Sequence, residues 1–396
     1  MEVIKLDFTP MEEFMDRLTT WRIPGNVVNI YKDNQLVFEY CSGYSDIEAG
    51  ERMTPDKNFF LYSCSKITTT LAALQLYEKG YYLLDNPLYE FIPEFRKLYI
   101  KNADGSVQKA KEPVTIRHLF TMTAGFSYDF SPLLEAENET QGHFHTVPTI
   151  KRLASVPLDF EPGTHFQYSL CHDVLAAFTE IVAGKKFRDY VRENIFEPCG
   201  MTASYVEDKE SVGKCAVQYR FINDDAVSDI VKAQQSDTSC ADGYLERAGQ
   251  TNTHILGDEY DSGGAGIIAS VPEYAKLMAA IANGGLTKSG ERILTRGTIE
   301  LWRTNQLSQE LLLKEYNWPQ VKGYGYGLGV RTMMDRALSG SNGAFGEIGW
   351  GGAAGANALI DVENNVSFFY AHHMLNNQEA YVQPRLRNVF YTCLTR

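Results

Sequence analysis

Ser63 and Lys66 stand at positions i and i+3, a spacing that puts a hydroxyl and an amine on one face of a helix. A serine hydroxyl is a weak nucleophile at neutral pH and needs a base to take its proton during attack. Lysine can serve when burial lowers its pKa. If Ser63 opens the helix, the helix N-terminus adds backbone amides and a dipole suited to a developing oxyanion. The bland alternative is a capping serine followed by a surface lysine.

Ser-x-x-Lys occurs three times in the chain, at Ser63 to Lys66, Ser106 to Lys109 and Ser211 to Lys214. Ser106 follows Asp104-Gly105 in a polar turn, and Ser211 lies in an acidic stretch with Gly213 inside the pattern. Both read as solvated loops. Only Ser63 follows an apolar, strand-like run, Phe59-Phe60-Leu61-Tyr62, and precedes a helical one, where Ile67, Leu71, Leu74 and Tyr77 recur before Gly80 as the expected C-cap. Cys64, beside the candidate nucleophile, reads as a small apolar filler pointing away from the site.

A second proton carrier and an oxyanion site have one candidate each. Glu161-Pro162-Gly163-Thr164 is a turn leading to Tyr168, whose phenol can carry a proton, although one tyrosine among 23 is by itself a packing residue. Gly349-Trp350-Gly351-Gly352-Ala353-Ala354-Gly355 is short of side chains, so its backbone amides can approach a ligand closely. A tight strand entry would explain it equally well.

These residues need a scaffold. Val27 to Tyr31 and Gln35 to Cys41 flank Lys32-Asp33-Asn34 as a β-hairpin. From Tyr82 to about Gly200 the chain reads as mainly helical, with pieces at Ile116 to Met122, Thr149 to Ala154, Val174 to Val182 and Phe187 to Ile195. Residues 205–262 are polar and acidic and read as a long loop or insertion near the cleft. A helix is expected at Pro272 to Ala282, strands at Tyr324 to Thr332, Asn357 to Val362 and Val366 to His373, and a final helix at Gln378 to Leu394 despite Pro384. The expected class is α+β: an antiparallel sheet built from both ends of the chain (1–85 and 263–396), flanked by helices, with a mainly helical second lobe (86–204) inserted between them.

Composition sets limits. With 396 residues, 44% of them hydrophobic, the chain can bury a large core. A net charge of −13 without a long basic run argues against nucleic acid or an anionic membrane as partner. The N-terminus has no basic segment followed by an apolar one, and no run is long enough to span a bilayer, so a cytoplasmic location is expected. The 7 cysteines are scattered, with no Cys-x-x-Cys pair, and read as mostly buried free thiols. His143, His145, His372 and His373 read as surface or packing residues, and no metal or cofactor is expected.

The joint pattern resembles the serine β-lactamase and penicillin-binding-protein superfamily. The resemblance rests on Ser63-Cys64-Ser65-Lys66 after its strand, Pro162-Gly163-Thr164 leading to Tyr168-Ser169, Tyr324-Gly325-Tyr326-Gly327-Leu328-Gly329 and the late glycine-rich segment. Smaller blocks at 115–126, 197–201 and 263–270 agree, and the resemblance covers roughly residues 20–390. It implies a β-lactamase-like fold. Within the superfamily the chain is most similar to the class C branch and, inside that, to the family VIII carboxylesterases.

Two departures carry that narrower resemblance. The class C pattern has an asparagine two positions after the tyrosine, where this chain has Leu170, and a Lys-Thr-Gly-type third motif, where it has Trp350-Gly351-Gly352. A tryptophan cannot hold a substrate carboxylate, and losing a charge-assisted contact of about 1.5–3 kcal/mol favours neutral acyl groups. The resemblance implies attack by Ser63 on an ester, Lys66 and Tyr168 sharing the role of general base and either of them protonating the leaving alcohol, and an oxyanion hole from the amides of Ser63 and Ala353. The substrate surface would include Trp350, Gly351, Gly352, Ala353 and Leu170, and the partner would be a small-molecule ester. Composition and motifs leave the oligomeric state open. A β-lactamase or D-Ala-D-Ala peptidase of the same fold is the alternative, and a non-catalytic binding protein a further one. A Ser-His-Asp hydrolase is disfavoured, because no Gly-x-Ser-x-Gly elbow occurs.

Overall fold

The computed structural model describes residues 6–134, 144–205, 209–223 and 243–394. Short-range sequence signals set its edges. At 33 and 34, Asp and Asn both take positive φ, 49° and 59°, the backbone a tight hairpin turn requires. That turn joins β1 (Gly25–Lys32) to β2 (Gln35–Asp46). At the other end of the chain, β7 (Asn357–Asp361) and β8 (Val366–His372) are joined through Asn365, at φ 51°.

These two hairpins meet. β1 pairs antiparallel with β8 from Asn26 opposite His372 to Lys32 opposite Val366. With β3 (Glu51–Arg52), β4 (Tyr324–Tyr326), β5 (Arg331–Met333) and β6 (Ile348–Gly349) they form one sheet in the order β4-β5-β6-β7-β8-β1-β2-β3. The α+β class and the sheet drawn from both termini are as the sequence led one to expect.

Strand alternation decides what covers each face. Val28, Ile30, Phe368 and Tyr370 point to one side, where α1 (Thr9–Trp21) and the C-terminal helix α5 (Glu379–Cys393) close a core with Phe14, Leu18, Leu386 and Phe390. Val27, Phe369 and Ala371 point to the other, into the main core, where α4 (Val271–Ala282) packs on β8 and β1. That larger core also holds α2 (Ser65–Glu78) and α3 (Cys171–Ala183), which pack on each other. Every residue of α2 from Ser65 to Leu76 is buried, so the apolar periodicity seen in its sequence marks only part of an all-round packed helix.

Three expectations change in detail. Tyr324 to Thr332, read as one strand, is a hairpin: Gly327 N–H donates to Val330 O at 2.8 Å and Gly329 takes φ 88°, so the chain reverses between β4 and β5. The stretch 205–262, read as a loop, contains strands Tyr219–Asn223 and Gly243–Arg247, joined in a small sheet with Met374–Leu375. Tyr219 and Phe221 are buried in the α1/α5 core, a period-two signal too short to stand out among acidic neighbours. Ser211 lies in a short helix, Lys209–Gly213, which ends at Gly213 instead of being prevented by it. The acidic pair Asp224-Asp225, together with His143 and Cys240, lies outside the described residues.

Candidate active site

The strand Asn58–Phe60 pairs with Ile268–Ser270 and delivers the chain to a 3-10 turn, Tyr62–Cys64, at the mouth of α2. Tyr62 carries φ 45°, a left-handed conformation that costs a non-glycine residue roughly 1–2 kcal/mol. Packing holds it there: Tyr62 is buried, donates to Gln218 Oε1 at 2.8 Å and meets the His254 ring edge-on. The turn leaves Ser63 partly exposed at the floor of a cavity and Lys66 fully buried behind it.

Lys66 Nζ lies 3.2 Å from Ser63 Oγ, 2.7 Å from the carbonyl of Gly264 and 3.5 Å from the hydroxyl of Tyr128. Burial lowers its pKa to about 8, against an opposing pull from the buried carboxylate of Asp173. Asp173 accepts from Ser262 Oγ at 2.8 Å, from Tyr260 OH at 3.1 Å and from the Gly264 amide. Gly264 therefore links the two side chains through the peptide groups on either side of its Cα, N–H to Asp173 and C=O to Lys66. A Cβ at Gly264 would fall 2.5 Å from Asp173 Oδ2, so the link depends on glycine there.

Tyr168 is placed by a set of backbone bonds: Gly163 N–H to Thr123 O at 2.8 Å, Gln167 N–H to Met122 O at 2.9 Å and Leu170 N–H to Ser127 O at 3.3 Å. The same bonds set Tyr128 against it, the rings stacked with centroids 5.6 Å apart. Both phenols engage the Ser63 side chain. Burial raises the pKa of each far above its ordinary value, so both are neutral phenols at physiological pH. Lys66 Nζ also sits 4.6 Å from the centre of the Tyr168 ring.

Trp350 leaves β6 and turns back over the site. Its Nε1–H donates to Tyr168 OH at 3.0 Å, and the two rings stack at 5.7 Å. Beyond it the chain makes a tight turn, with Gly352 N–H to Ala356 O at 2.8 Å and Gly355 N–H to Gly352 O at 2.9 Å. Among the described residues the amides of Ser63 and Ala353 donate to no backbone carbonyl. The cavity, about 490 Å³, is lined by Ser63, Tyr168, Trp318, Trp350, Gly351, Gly352 and Ala353 on its aromatic and glycine side.

The structure thus gathers Ser63, Lys66, Tyr168, Trp350, Gly351, Gly352 and Ala353. It does not gather Leu170, which is fully buried at the start of α3 and does not line the cavity; an apolar side chain at that position joins the core. Cys64 is buried with its thiol toward Trp350 O, and burial pushes its pKa up. The other two Ser-x-x-Lys pairs lie elsewhere, Ser106 in a turn bonded to Asp104 and Lys214 paired with Glu210. His372 and His373 are buried packing residues. Among the described residues no group of His, Cys, Asp and Glu is arranged to hold a metal ion.

Sequence reading alone missed Tyr128, Asp173 and Tyr62. Tyr128 follows the Thr123-Ala124-Gly125 block by a few residues, and nothing local separates it from other tyrosines. Asp173 looks like an ordinary first-turn acid of a helix.

The Beta-lactamase family profile matches residues 11–390. The chain belongs to the Beta-lactamase family. It is a serine hydrolase of that family, and among curated proteins it is similar to Esterase EstB of Burkholderia gladioli, 29% identical over 88% of this chain and 85% of the relative. It is also similar to the lovastatin esterase of Penicillium rubens, 24% identical over 89% of each. Among solved structures, EstCE1, described as a hydrolase with promiscuous acyltransferase activity, superposes with TM-score 0.73 at 24% identity, covering 98% of this chain and all of that one. Unliganded simvastatin synthase from Aspergillus terreus shares the fold at TM-score 0.76 and 22% identity, over 98% of this chain and 99% of the other. Among the described residues of this family member, no helix is long and apolar enough to cross a membrane.

Proposed function

We propose that the protein is a carboxylesterase that cleaves small, neutral acyl esters through an acyl-enzyme on Ser63. The observation that carries this is the 3.2 Å contact between Ser63 Oγ and a buried amine whose pKa has fallen to about 8. At neutral pH an appreciable share of Lys66 is unprotonated, whereas the phenol of Tyr168 holds its proton. Lys66 is therefore the base and Tyr168 the acid.

Ser63 Oγ attacks the ester carbonyl carbon and passes its proton to Lys66. The amides of Ser63 and Ala353 receive the oxyanion. Collapse breaks the bond to the alcohol, which leaves with a proton supplied through Tyr168. Water then repeats the sequence on the acyl-enzyme and frees Ser63. Trp350 holds the Tyr168 hydroxyl in line, and Tyr128 holds both the amine and the serine. The 205–262 segment backs the site from outside the cavity, where His254 meets Tyr128 edge-on.

Support for esters over β-lactams comes from Trp350, whose indole occupies the place where the superfamily's third motif carries a cation. The esterase names of the similar proteins point the same way. A fluorophosphonate probe with mass mapping, followed by rates on p-nitrophenyl acyl esters and a chromogenic cephalosporin, tests the proposal. The expected result is a label on Ser63 and ester turnover exceeding cephalosporin turnover. An unlabelled Ser63 without ester turnover overturns the enzyme assignment, and faster cephalosporin turnover overturns the choice of substrate. Transfer of the acyl group to an alcohol in place of water is the second reading, favoured by the acyltransferase activity named for EstCE1; adding alcohols and measuring new ester tests it.

A further inference from the structure

Beside Trp318 and Trp350 the cavity has a polar lining, made by Asn376, Asn377, Gln378, Glu379, Gln383 and Gln320. Its backbone is strained: Asn376 has φ 56° and Gln378 φ 54°. Left-handed non-glycine residues cost of order 1–3 kcal/mol each and persist where surrounding structure over-determines them, often at ligand sites. Here Asn377, buried between them, donates to Gly352 O at 2.9 Å and accepts from the Glu379 amide at 3.0 Å. Gln378 is held by Arg22 Nη1 at 2.8 Å. The segment is thus clamped to the glycine turn beside Ser63, and it projects Glu379 into the cavity.

The hydrogen bonds of this face centre on Glu379. One N–H of each side-chain amide already has a protein acceptor: Gln320 and Gln383 donate to Glu379 at 2.9 and 3.4 Å, Asn376 to Phe221 O at 2.9 Å, Asn377 to Gly352 O and Gln378 to Asn376 O at 3.0 Å. Several acceptors on this face are unfilled. The side-chain oxygens of Gln320 and Gln383 have no protein donor among the described residues, and the Glu379 carboxylate has lone pairs to spare and no cation as partner there. Arg331, the cavity's cation, is 1% exposed and lies 3.6 Å from Glu347, so its charge is met inside the protein. Glu379 also sits in the first turn of α5, where it offsets the field of the helix amides that would otherwise favour an anion.

We infer that this face is a substrate subsite for a hydrogen-bond-donating, non-anionic group, a hydroxyl or an ammonium, with Glu379 as the acceptor that selects it. The inference rests on the ester reading above and names the class of ester: one end apolar, lying on the indoles, the other bearing a donor. Substrates with a carboxylate at that end meet the Glu379 carboxylate, which among the described residues has no cation beside it to offset the repulsion.

The test uses two series of esters, each ending in methyl, hydroxyl, ammonium or carboxylate on the same alkyl chain. One series is butyrates varied in the alcohol; the other is p-nitrophenyl esters varied in the acyl group. In one of the two series the ammonium and hydroxyl members should exceed the methyl member in kcat/KM by about tenfold, as expected for one hydrogen bond to a charged acceptor, with the carboxylate member lowest. In Glu379→Gln the ratio of ammonium to methyl should fall by about tenfold. Equal rates across both series, a preference for the carboxylate, or the same ratio in Glu379→Gln would overturn the subsite. If that variant does not fold, the wild-type series decides alone. Failure of every ester together with an unlabelled Ser63 would instead sink the esterase reading, so the two failures are told apart.

Discussion

The two faces of the cavity are built on opposite terms. The nucleophile face is closed: Lys66 and Asp173 are fully buried, Lys66 bonded to Ser63, Tyr128 and Gly264 and Asp173 to Ser262, Tyr260 and Gly264. The face from Asn376 to Gln383 is partly exposed and keeps acceptors unfilled. A buried, satisfied network fixes one geometry, which suits chemistry common to every substrate. An open, under-filled surface suits discrimination between substrates. Changes on the first face should lower kcat whatever the ester, and changes on the second should act on KM and depend on the ester.

The largest effect expected is from Ser63→Ala, which should lower kcat by at least about 10³-fold on every ester, measured by steady-state hydrolysis, with loss of probe labelling. Tyr168→Phe should cost about 10²-fold, the scale of general acid–base catalysis, again without regard to substrate. A Tyr168→Phe enzyme that lost turnover on only some esters would break the contrast between the faces.

The pH profile is next. Protonated Lys66 cannot accept from Ser63, so kcat/KM should rise with pH and level off above about 8, falling about tenfold per unit below that on the acid limb. Asp173 pulls the Lys66 pKa upward, so Asp173→Asn removes that pull and should move the acid limb to lower pH. A limb that stays in place would mean Asp173 is a packing group and not a positioning residue. Trp350→Phe deletes the 3.0 Å bond to Tyr168 and should reduce kcat by roughly fivefold, for one hydrogen bond of about 1 kcal/mol. The smallest effect should be that of Gln383→Ala, an increase in KM of about two- to threefold, confined to donor-bearing esters.

The legible parts of this molecule were those encoded over short distances. Asp33-Asn34 and Asn365 mark their turns by residue type, and the run from Ile67 to Leu74 marks α2. Pro162 to Tyr168 and Trp350-Gly351-Gly352 were found as motifs and do meet at Ser63. The rest depends on long-range packing. Tyr128 is chosen from 23 tyrosines only because backbone bonds between 122–127 and 163–170 stack it on Tyr168. Asp173 gains its role from a glycine far along the chain, and Leu170 loses the one assigned to it because the first turn of α3 faces the core. The 376–379 segment was invisible because its meaning lies in two left-handed residues that are neither glycine nor in a recognisable turn motif.

Asn377 has a consequence for how such a protein diversifies. One buried side chain ties the turn that carries Ala353 to the segment that presents Glu379, at 2.9 Å on one side and 3.0 Å on the other. Mutations that retune which esters are admitted by displacing Asn377 itself will also pull on the turn that carries Ala353, so that route to a new substrate should travel with a change in turnover. Lineages that keep an asparagine here inherit that constraint, whereas those that lose it are free to vary appetite and speed apart.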